Sequence, residues 1–140
     1  MAAFDLTTDF GKRAENRLQN EQVIWLVTVN ERGVPQPSPV WFHWDGESIV
    51  IHSQPNTPKV KAIRANPNVA LHFNATSTGG DVIVIGGTAT LVNEGQVSTP
   101  GPAYAAKYEA GYAGLGLTND TFAASYSQLM RVEPTSLRGF

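Results

Sequence analysis

Residues 33–44 read GVPQPSPVWFHW, and this stretch decides the fold. Prolines stand at alternate positions, 35, 37 and 39, beside residues that favour a strand. Proline has no N–H to donate, so a strand with this pattern cannot lie inside a sheet. The pattern predicts an edge strand that keeps its carbonyl acceptors and lacks donors on one side. Such an edge resists aggregation, and it is equally able to accept hydrogen bonds from a flat ligand that carries N–H groups.

The neighbouring segments predict hairpins. Residues 22–30 (QVIWLVTVN) are rich in β-branched and aromatic side chains, which favours a strand. A turn ending at Gly33 leads into the second strand, at 34–44, because glycine accepts positive φ. The Asp45-Gly46 pair then indicates a hairpin into a third strand at 47–53. Strands joined by hairpins are antiparallel.

The rest of the chain predicts short helices and further strands. We expect helices at 9–20 (capped by Asp9), 58–65, about 103–110 and after 119, and strands at 68–75, 81–92 (with a bend at Gly86-Gly87) and 128–133. Five or six antiparallel strands in so short a chain favour closure into a barrel. The predicted class is mainly β with short helices (α+β), in a single domain over residues 1–140.

Composition limits the possible functions. The chain has 140 residues, 41% of them hydrophobic, and a net charge of −2. It has no cysteine, which excludes disulfides, thiolate metal sites and a cysteine nucleophile. The charge gives no general attraction to nucleic acid or anionic membranes. Residues 1–10 contain no signal-peptide pattern, and no apolar run approaches the roughly 20 residues of a membrane span. We therefore expect a soluble, cytoplasmic protein without nucleic-acid or membrane partners.

A candidate anion site follows the third strand. Thr57 and Pro58 are typical of a helix start. Lys59 and Lys61 add positive charge to its first turn, where the helix dipole disfavours cations unless an anion is bound. The hydroxyl of Ser53 lies close in sequence. The alternative interpretation is a short surface helix with two solvated lysines.

Three histidines lie in predicted strands, and none has the spacing of a metal-ligand pair with another. We predict no metal site. His43 and His72 are expected to be buried and hydrogen-bonded, whereas His52, next to the anion loop, is the better candidate for a ligand contact. A stripe of tyrosines at positions 104, 108 and 112 is assigned to helix packing.

Taken in order, several segments resemble one family. These are 33–42, the Asp45-Gly46 hairpin, 51–53, 57–60 and Asn66-Pro67. They resemble the pyridoxamine phosphate oxidase-like, FMN-binding split barrels. The chain is most similar to the F420-dependent flavin/deazaflavin oxidoreductase B group of actinobacteria. The similarity covers residues 9–92, and residues 130–134 resemble the closing strand of the family. The resemblance implies an antiparallel split β-barrel and a homodimer with cofactors at its interface.

The resemblance also implies cofactor-binding residues. The second strand would line the ring of the cofactor, and the end of the third strand with the following helix would hold its phosphate. Residues of the second subunit would complete the site, and we take Asn74, on the fourth strand, as a candidate for one of them. The corresponding residues are Gln36, Pro37, Ser38, Pro39, Val40 and Trp41 for the ring, His52, Ser53, Thr57, Lys59 and Lys61 for the phosphate, and Asn74 for the completing residue. No catalytic acid or base is assigned.

The choice of cofactor depends on Pro58-Lys59, which replaces the Arg-Lys pair that flavin-binding relatives often carry. This departure is compatible with coenzyme F420, and FMN stays as the alternative.

The implied function is a reductase that passes a hydride from reduced deazaflavin to an electron-poor C=C or C=O of a small planar substrate. The alternatives are an FMN-dependent pyridoxamine phosphate oxidase-like enzyme and a non-catalytic flavin-, deazaflavin- or haem-binding protein with a histidine as axial ligand.

Overall fold

The computed structural model describes residues 4–140, which form seven strands and five short helices. Their order is α1 (Asp9–Asn20), β1 (Val23–Val29), β2 (Pro35–Trp41), β3 (His43–Trp44), β4 (Ile49–Ser53), α2 (Pro58–Ala65), β5 (Asn68–His72), β6 (Ile83–Val92), α3 (Pro102–Lys107), α4 (Glu109–Gly114), α5 (Asn119–Ser125) and β7 (Gln128–Gly139). Residues 1–3 of the predicted domain lie outside the described residues. That residues 1–140 form a single domain stays a prediction.

All seven strands belong to one antiparallel sheet in the order β2-β1-β5-β6-β7-β4-β3. The sheet curls into a half-open barrel, which confirms the predicted mainly-β split-barrel class. The register between β6 and β7 shifts at Gly86 and Gly87, where a bend was expected. A Cβ at Gly87 would lie 2.8 Å from the carbonyl oxygen of Glu133, so the close approach of β7 requires glycine there.

Two hydrophobic clusters stabilise the fold. The barrel interior is filled by alternate residues of the strands and closed by the buried face of α1, which includes Ala14 and Leu18. A second, aromatic cluster joins α3, α4 and α5 through Tyr104, Tyr108, Tyr112 and Phe122. The predicted packing role of the tyrosine stripe is confirmed for this cluster.

Strand β2 lies at the edge of the sheet, as its prolines predicted. The register places Pro35, Pro37 and Pro39 opposite alternate residues of β1. Because these residues cannot donate, the ladder hydrogen bonds of the pair use the intervening positions. The carbonyl groups of Pro37 and Pro39 therefore face the open edge.

The predicted second strand is interrupted at Phe42, whose backbone groups bond to side chains. The N–H of Phe42 donates to the hydroxyl of Tyr108 at 2.8 Å, and its carbonyl accepts from Lys107 Nζ at 2.7 Å. The predicted helix at 103–110 is likewise broken at Tyr108, which separates α3 from α4. The same tyrosine hydroxyl thus holds the strand break and the helix break together.

Two further boundaries differ from the prediction. The first helix is capped by Thr8, whose hydroxyl accepts from the N–H of Gly11 at 2.9 Å, and not by Asp9. Strand β7 continues to Gly139 and does not end at residue 133. It continues because it pairs with β6 as far as Ile83.

Candidate functional site

A cleft of about 420 Å³ lies between the sheet edge and the helical segment. It is formed by the end of β2, the end of β4, the start of α2, and α3 to α5. We call this space the cleft. It is lined by Pro39, Val40, Trp41, His52, Ser53, Gln54, Thr57, Lys59, Tyr104, Leu115, Phe122 and Tyr126. Seven of the twelve predicted cofactor residues are therefore brought together.

The strand side of the cleft is held rigidly. The ring of Trp41 stacks on Tyr108 with centroids 4.4 Å apart and planes 5° apart. It also stacks on Phe122, at 5.8 Å and 12°. Because both neighbours come from the helical segment, this stacking fixes α3 and α5 against the edge strand. The wall continues through Phe122, which stacks on Tyr126 at 4.6 Å.

The opposite end of the cleft has the features of an anion site. Helix α2 begins with Thr57 as its N-cap and Pro58 in its first turn, as predicted. The Thr57 side chain makes no capping hydrogen bond, and its hydroxyl lies 3.4 Å from that of Ser53. The first N–H groups of the helix have no partner within it. A donor-rich helix start with the positive end of the helix dipole therefore borders the cleft.

The two predicted lysines differ in burial and in whether they line the cleft. Lys59 is half-buried and lines the cleft, and burial lowers the pKa of its amine. Lys61 is exposed and does not line it, because residues two apart on a helix face different directions. A bound anion would offset the desolvation of the Lys59 ammonium. Lys61 can act only through longer-range charge.

Between the two ends lie His52 and Tyr104. They are only 8% and 2% exposed, and their rings meet edge to face with centroids 4.8 Å apart. His52 Nδ1 and the Tyr104 hydroxyl are both shielded from solvent without a hydrogen-bond partner. Burial lowers the pKa of His52 to about 4, against a backbone hydrogen bond with Ser98 that raises it. Burial also raises the pKa of Tyr104. Both side chains are therefore uncharged at neutral pH.

The other predicted residues lie outside the cleft. Gln36, Pro37 and Ser38 lie farther along β2, and the side-chain oxygens of Gln36 and Ser38 are buried without partners. Asn74 is exposed just after β5, where its side-chain oxygen accepts from Trp25 Nε1 at 2.9 Å. The structure therefore does not bring Asn74 to the cleft of its own chain.

Sequence reasoning missed five lining residues, namely Gln54, Tyr104, Leu115, Phe122 and Tyr126. Four of them come from the segment after residue 100, far from the edge strand in sequence. The only signal was the tyrosine spacing at 104, 108 and 112, which predicted packing and gave no indication that one hydroxyl would lack a partner.

The histidines differ from expectation. His43 and His72 are only half-buried, and His52 is the buried one. A 3.1 Å contact joins His72 Nδ1 to the Phe73 carbonyl.

Within residues 4–140, no three His, Asp or Glu side chains converge in a way that could hold a metal ion. No helix in the described part of the chain is both long and apolar enough to cross a membrane.

The residues of the cleft fit a planar ring system that carries a phosphate. The edge carbonyl of Pro39, which lines the cleft, can accept from an N–H group of a ring. The Thr57 hydroxyl, which makes no capping hydrogen bond, the start of α2 and the Lys59 amine can hold the phosphate. A flavin and a deazaflavin both have these two features, so the donor and acceptor set alone does not separate them.

Comparison with known proteins gives a family and a fold. The family model described as pyridoxamine 5′-phosphate oxidase matches residues 10–139. A solved F420 reductase is 27% identical, with a TM-score of 0.68, covering 89% of this chain and 94% of its own. A search of the curated proteins found no match.

Two more distant solved structures share the fold. A haem storage protein from Vibrio cholerae is 15% identical, with a TM-score of 0.64 and 94% of each chain covered. A FAD-binding protein from Mesorhizobium loti is 15% identical, with a TM-score of 0.59, covering 90% of this chain and 88% of its own. At these identities the similarity shows the architecture alone.

Proposed function

The chain belongs to the pyridoxamine 5′-phosphate oxidase family, and on that premise we propose that it is an oxidoreductase that uses reduced coenzyme F420 to reduce a small electron-poor substrate. One observation carries the proposal: the acceptor edge of β2 and the anion site at Thr57 and Lys59 border the same cleft. The 27% identity to an F420 reductase over most of both chains supports this cofactor over FMN.

Each part of the cleft has a distinct role in this proposal. Lys59 and Thr57 bind the phosphate, and the end of β2 orients the ring. A reduced deazaflavin supplies the hydride when bound. The aromatic wall of Trp41, Phe122 and Tyr126 excludes water from the reacting face.

We also propose a homodimer, because the outer face of the sheet is apolar. On β1, Val27 and Val29 point away from the barrel interior, and Val27 pairs with Ala70 of β5. Val84 on β6 lies on the same face. These side chains are half-buried in the single chain. A second copy seated on this face would bury them further. A cytoplasmic location remains part of the proposal.

The test is a parallel titration of the purified protein with coenzyme F420 and with FMN, followed by fluorescence. Tight F420 binding with weak FMN binding supports the proposal, and turnover of activated alkenes or quinones with reduced F420 would complete it. Preference for FMN would move the protein to the FMN-dependent alternative. A haem titration is the third arm: a Soret band without F420 binding would favour a carrier.

A further inference from the structure

A second hollow lies behind the cleft. Its volume is about 330 Å³, and it is bordered by the start of α3 and by β3, β4 and β7. The two linings share two residues, His52 and Tyr104. These side chains therefore stand at the junction of the two spaces, where a ligand in either one is next to them.

Both residues carry a polar atom that the fold leaves unused. His52 Nδ1 and the Tyr104 hydroxyl are buried without a hydrogen-bond partner among residues 4–140. Buried polar groups in native proteins nearly always have partners, because an unpaired one loses its hydration without compensation. Two such atoms on neighbouring rings, 4.8 Å apart between centroids, indicate a site that a bound molecule completes.

The two atoms have complementary hydrogen-bonding roles. The Tyr104 phenol stays protonated, since burial and the nearby tyrosines raise its pKa, so its hydroxyl can donate. His52 is neutral at neutral pH because burial lowers the pKa of its imidazole to about 4. A neutral imidazole whose proton is on Nε2 has a lone pair on Nδ1, so the unpartnered Nδ1 can accept in that tautomer.

Among the described residues that line the second hollow, the one lysine or arginine is Arg131, whose guanidinium is engaged with Asp45 Oδ2 at 3.1 Å and Ser48 Oγ at 3.0 Å. Lys59 lines the cleft and not this hollow. An anionic group placed against His52 and Tyr104 from the second hollow would therefore lose hydration without gaining a free cation. An uncharged ligand does not incur that loss.

We propose that Tyr104 and His52 form the specificity-determining pair for an uncharged substrate whose carbonyl accepts from the Tyr104 hydroxyl and whose adjacent N–H donates to His52 Nδ1. Conjugated lactams and cyclic imides have this arrangement. As a reduction, the inference rests on the proposed function. As a binding site, it does not depend on that function.

Maleimide and N-methylmaleimide are matched probes. Both have the same electron-poor alkene, and only maleimide has the N–H. The chain has no cysteine, so thiol addition does not interfere. In the reaction, a hydride from the reduced cofactor and a proton from solvent add across the C=C bond and give the succinimide. We expect kcat/KM for maleimide to exceed that for N-methylmaleimide at least tenfold.

Variants assign the two hydrogen bonds. Tyr104→Phe should raise KM for both probes about tenfold, because the donor to their carbonyl is lost. His52→Phe should abolish the preference for maleimide, and His52→Gln, which keeps a carbonyl acceptor, should restore part of it. Tyr112→Phe is the control, because its hydroxyl bonds to Asn119 away from the cleft. Equal use of both probes by the unaltered protein would overturn the assignment.

Binding is measured separately from turnover with succinimide and N-methylsuccinimide. Succinimide should shift the ¹⁵N resonance of His52 Nδ1, and N-methylsuccinimide should not. If this shift occurs without any turnover, the site stands and the proposed function fails. If turnover occurs without the shift or the preference, the function stands and the site fails.

The thermal stability of Tyr104→Phe tests independently whether the Tyr104 hydroxyl lacks a partner. Removing an unpartnered buried hydroxyl should leave the Tm of Tyr104→Phe unchanged or higher, whereas Tyr112→Phe, which loses a hydrogen bond, should melt at a lower temperature. A Tm loss in Tyr104→Phe as large as that in Tyr112→Phe would mean that the hydroxyl has a partner inside the protein, and the proposal would fall.

Discussion

Lys59 is a basic side chain that the fold desolvates before any anion arrives. Lys59 is half-buried, burial lowers the pKa of its amine, and it lines the cleft together with Thr57, whose hydroxyl makes no capping hydrogen bond. Burying this amine without an anion is unfavourable, and a bound anion would offset the lost hydration. At the residue scale, therefore, the cleft is organised around side chains whose favourable partners are missing.

Lys59→Ala should weaken a phosphate-bearing cofactor by roughly 10- to 150-fold, because one charge-assisted hydrogen bond contributes about 1.5–3 kcal/mol. The measurement is the dissociation constant of F420 by fluorescence. Lys12→Ala, on an exposed face of α1, is the control. Lys61→Ala should have a smaller effect than Lys59→Ala, since Lys61 is exposed. The reverse order would show that the phosphate lies on the other side of α2.

His52 should make stability fall in mild acid. Its pKa is about 4 in the fold against an ordinary 6.5, so the unfolded chain binds more protons between these values. The free energy of unfolding should therefore fall by about 2 kcal/mol as pH drops from 6.5 to 4. Urea unfolding at several pH values measures the fall. The His52→Gln protein should lose most of it, and an equal fall in that variant would rule out His52 as its source.

At the scale of elements, α4 is positioned by its close approach to the ring of Trp41. A Cβ at Gly111 would lie 2.7 Å from the Trp41 ring, whereas one at Gly114, in the same helix, meets nothing within 4 Å. The absence of a side chain at Gly111 is what lets the helix approach the edge strand this closely.

Gly111→Ala should destabilise the protein by about 1–2 kcal/mol, because the cost of overpacking exceeds the gain in helix propensity. Gly114→Ala should be neutral or stabilising by up to about 1 kcal/mol. Thermal unfolding followed by near-ultraviolet circular dichroism reports both, since the tryptophan signal also reports the stacking. A stable Gly111→Ala protein would mean that Trp41 moves freely, contrary to its two stacking contacts.

Elements with local signals were predictable from the sequence. The edge position of β2 follows from its prolines, and the bounds of α2 follow from Thr57-Pro58 and Asn66-Pro67. The breaks at Phe42 and Tyr108 were not predictable, because they depend on a side-chain contact between residues 66 positions apart. The same holds for the cleft. Its lining residues from β2 and from the start of α2 were predicted from the sequence, whereas the aromatic side chains of the segment after residue 100 reach it only when that segment folds back onto the sheet.

For the whole molecule, the proposed dimer has a direct test. Val27→Glu places a charge on the apolar outer face of the sheet and should convert a dimer into a monomer, because a buried unpaired charge is strongly unfavourable at an interface. Size-exclusion chromatography with light scattering gives the mass. Thr90→Glu, at an exposed position of β6, should leave the mass unchanged. A monomeric unaltered protein would remove the dimer from the proposal.

The last strand along the chain lies inside the sheet. Strand β7 sits between β6 and β4 and hydrogen-bonds to both, so that it joins the strand pair β3-β4 to the other four strands. During translation, β3 and β4 leave the ribosome early but cannot join the sheet until residues 128–139 emerge, several seconds later at about 5–20 residues per second. Until β7 emerges, the nascent chain therefore carries β3 and β4 without the strand that pairs them with the rest of the sheet.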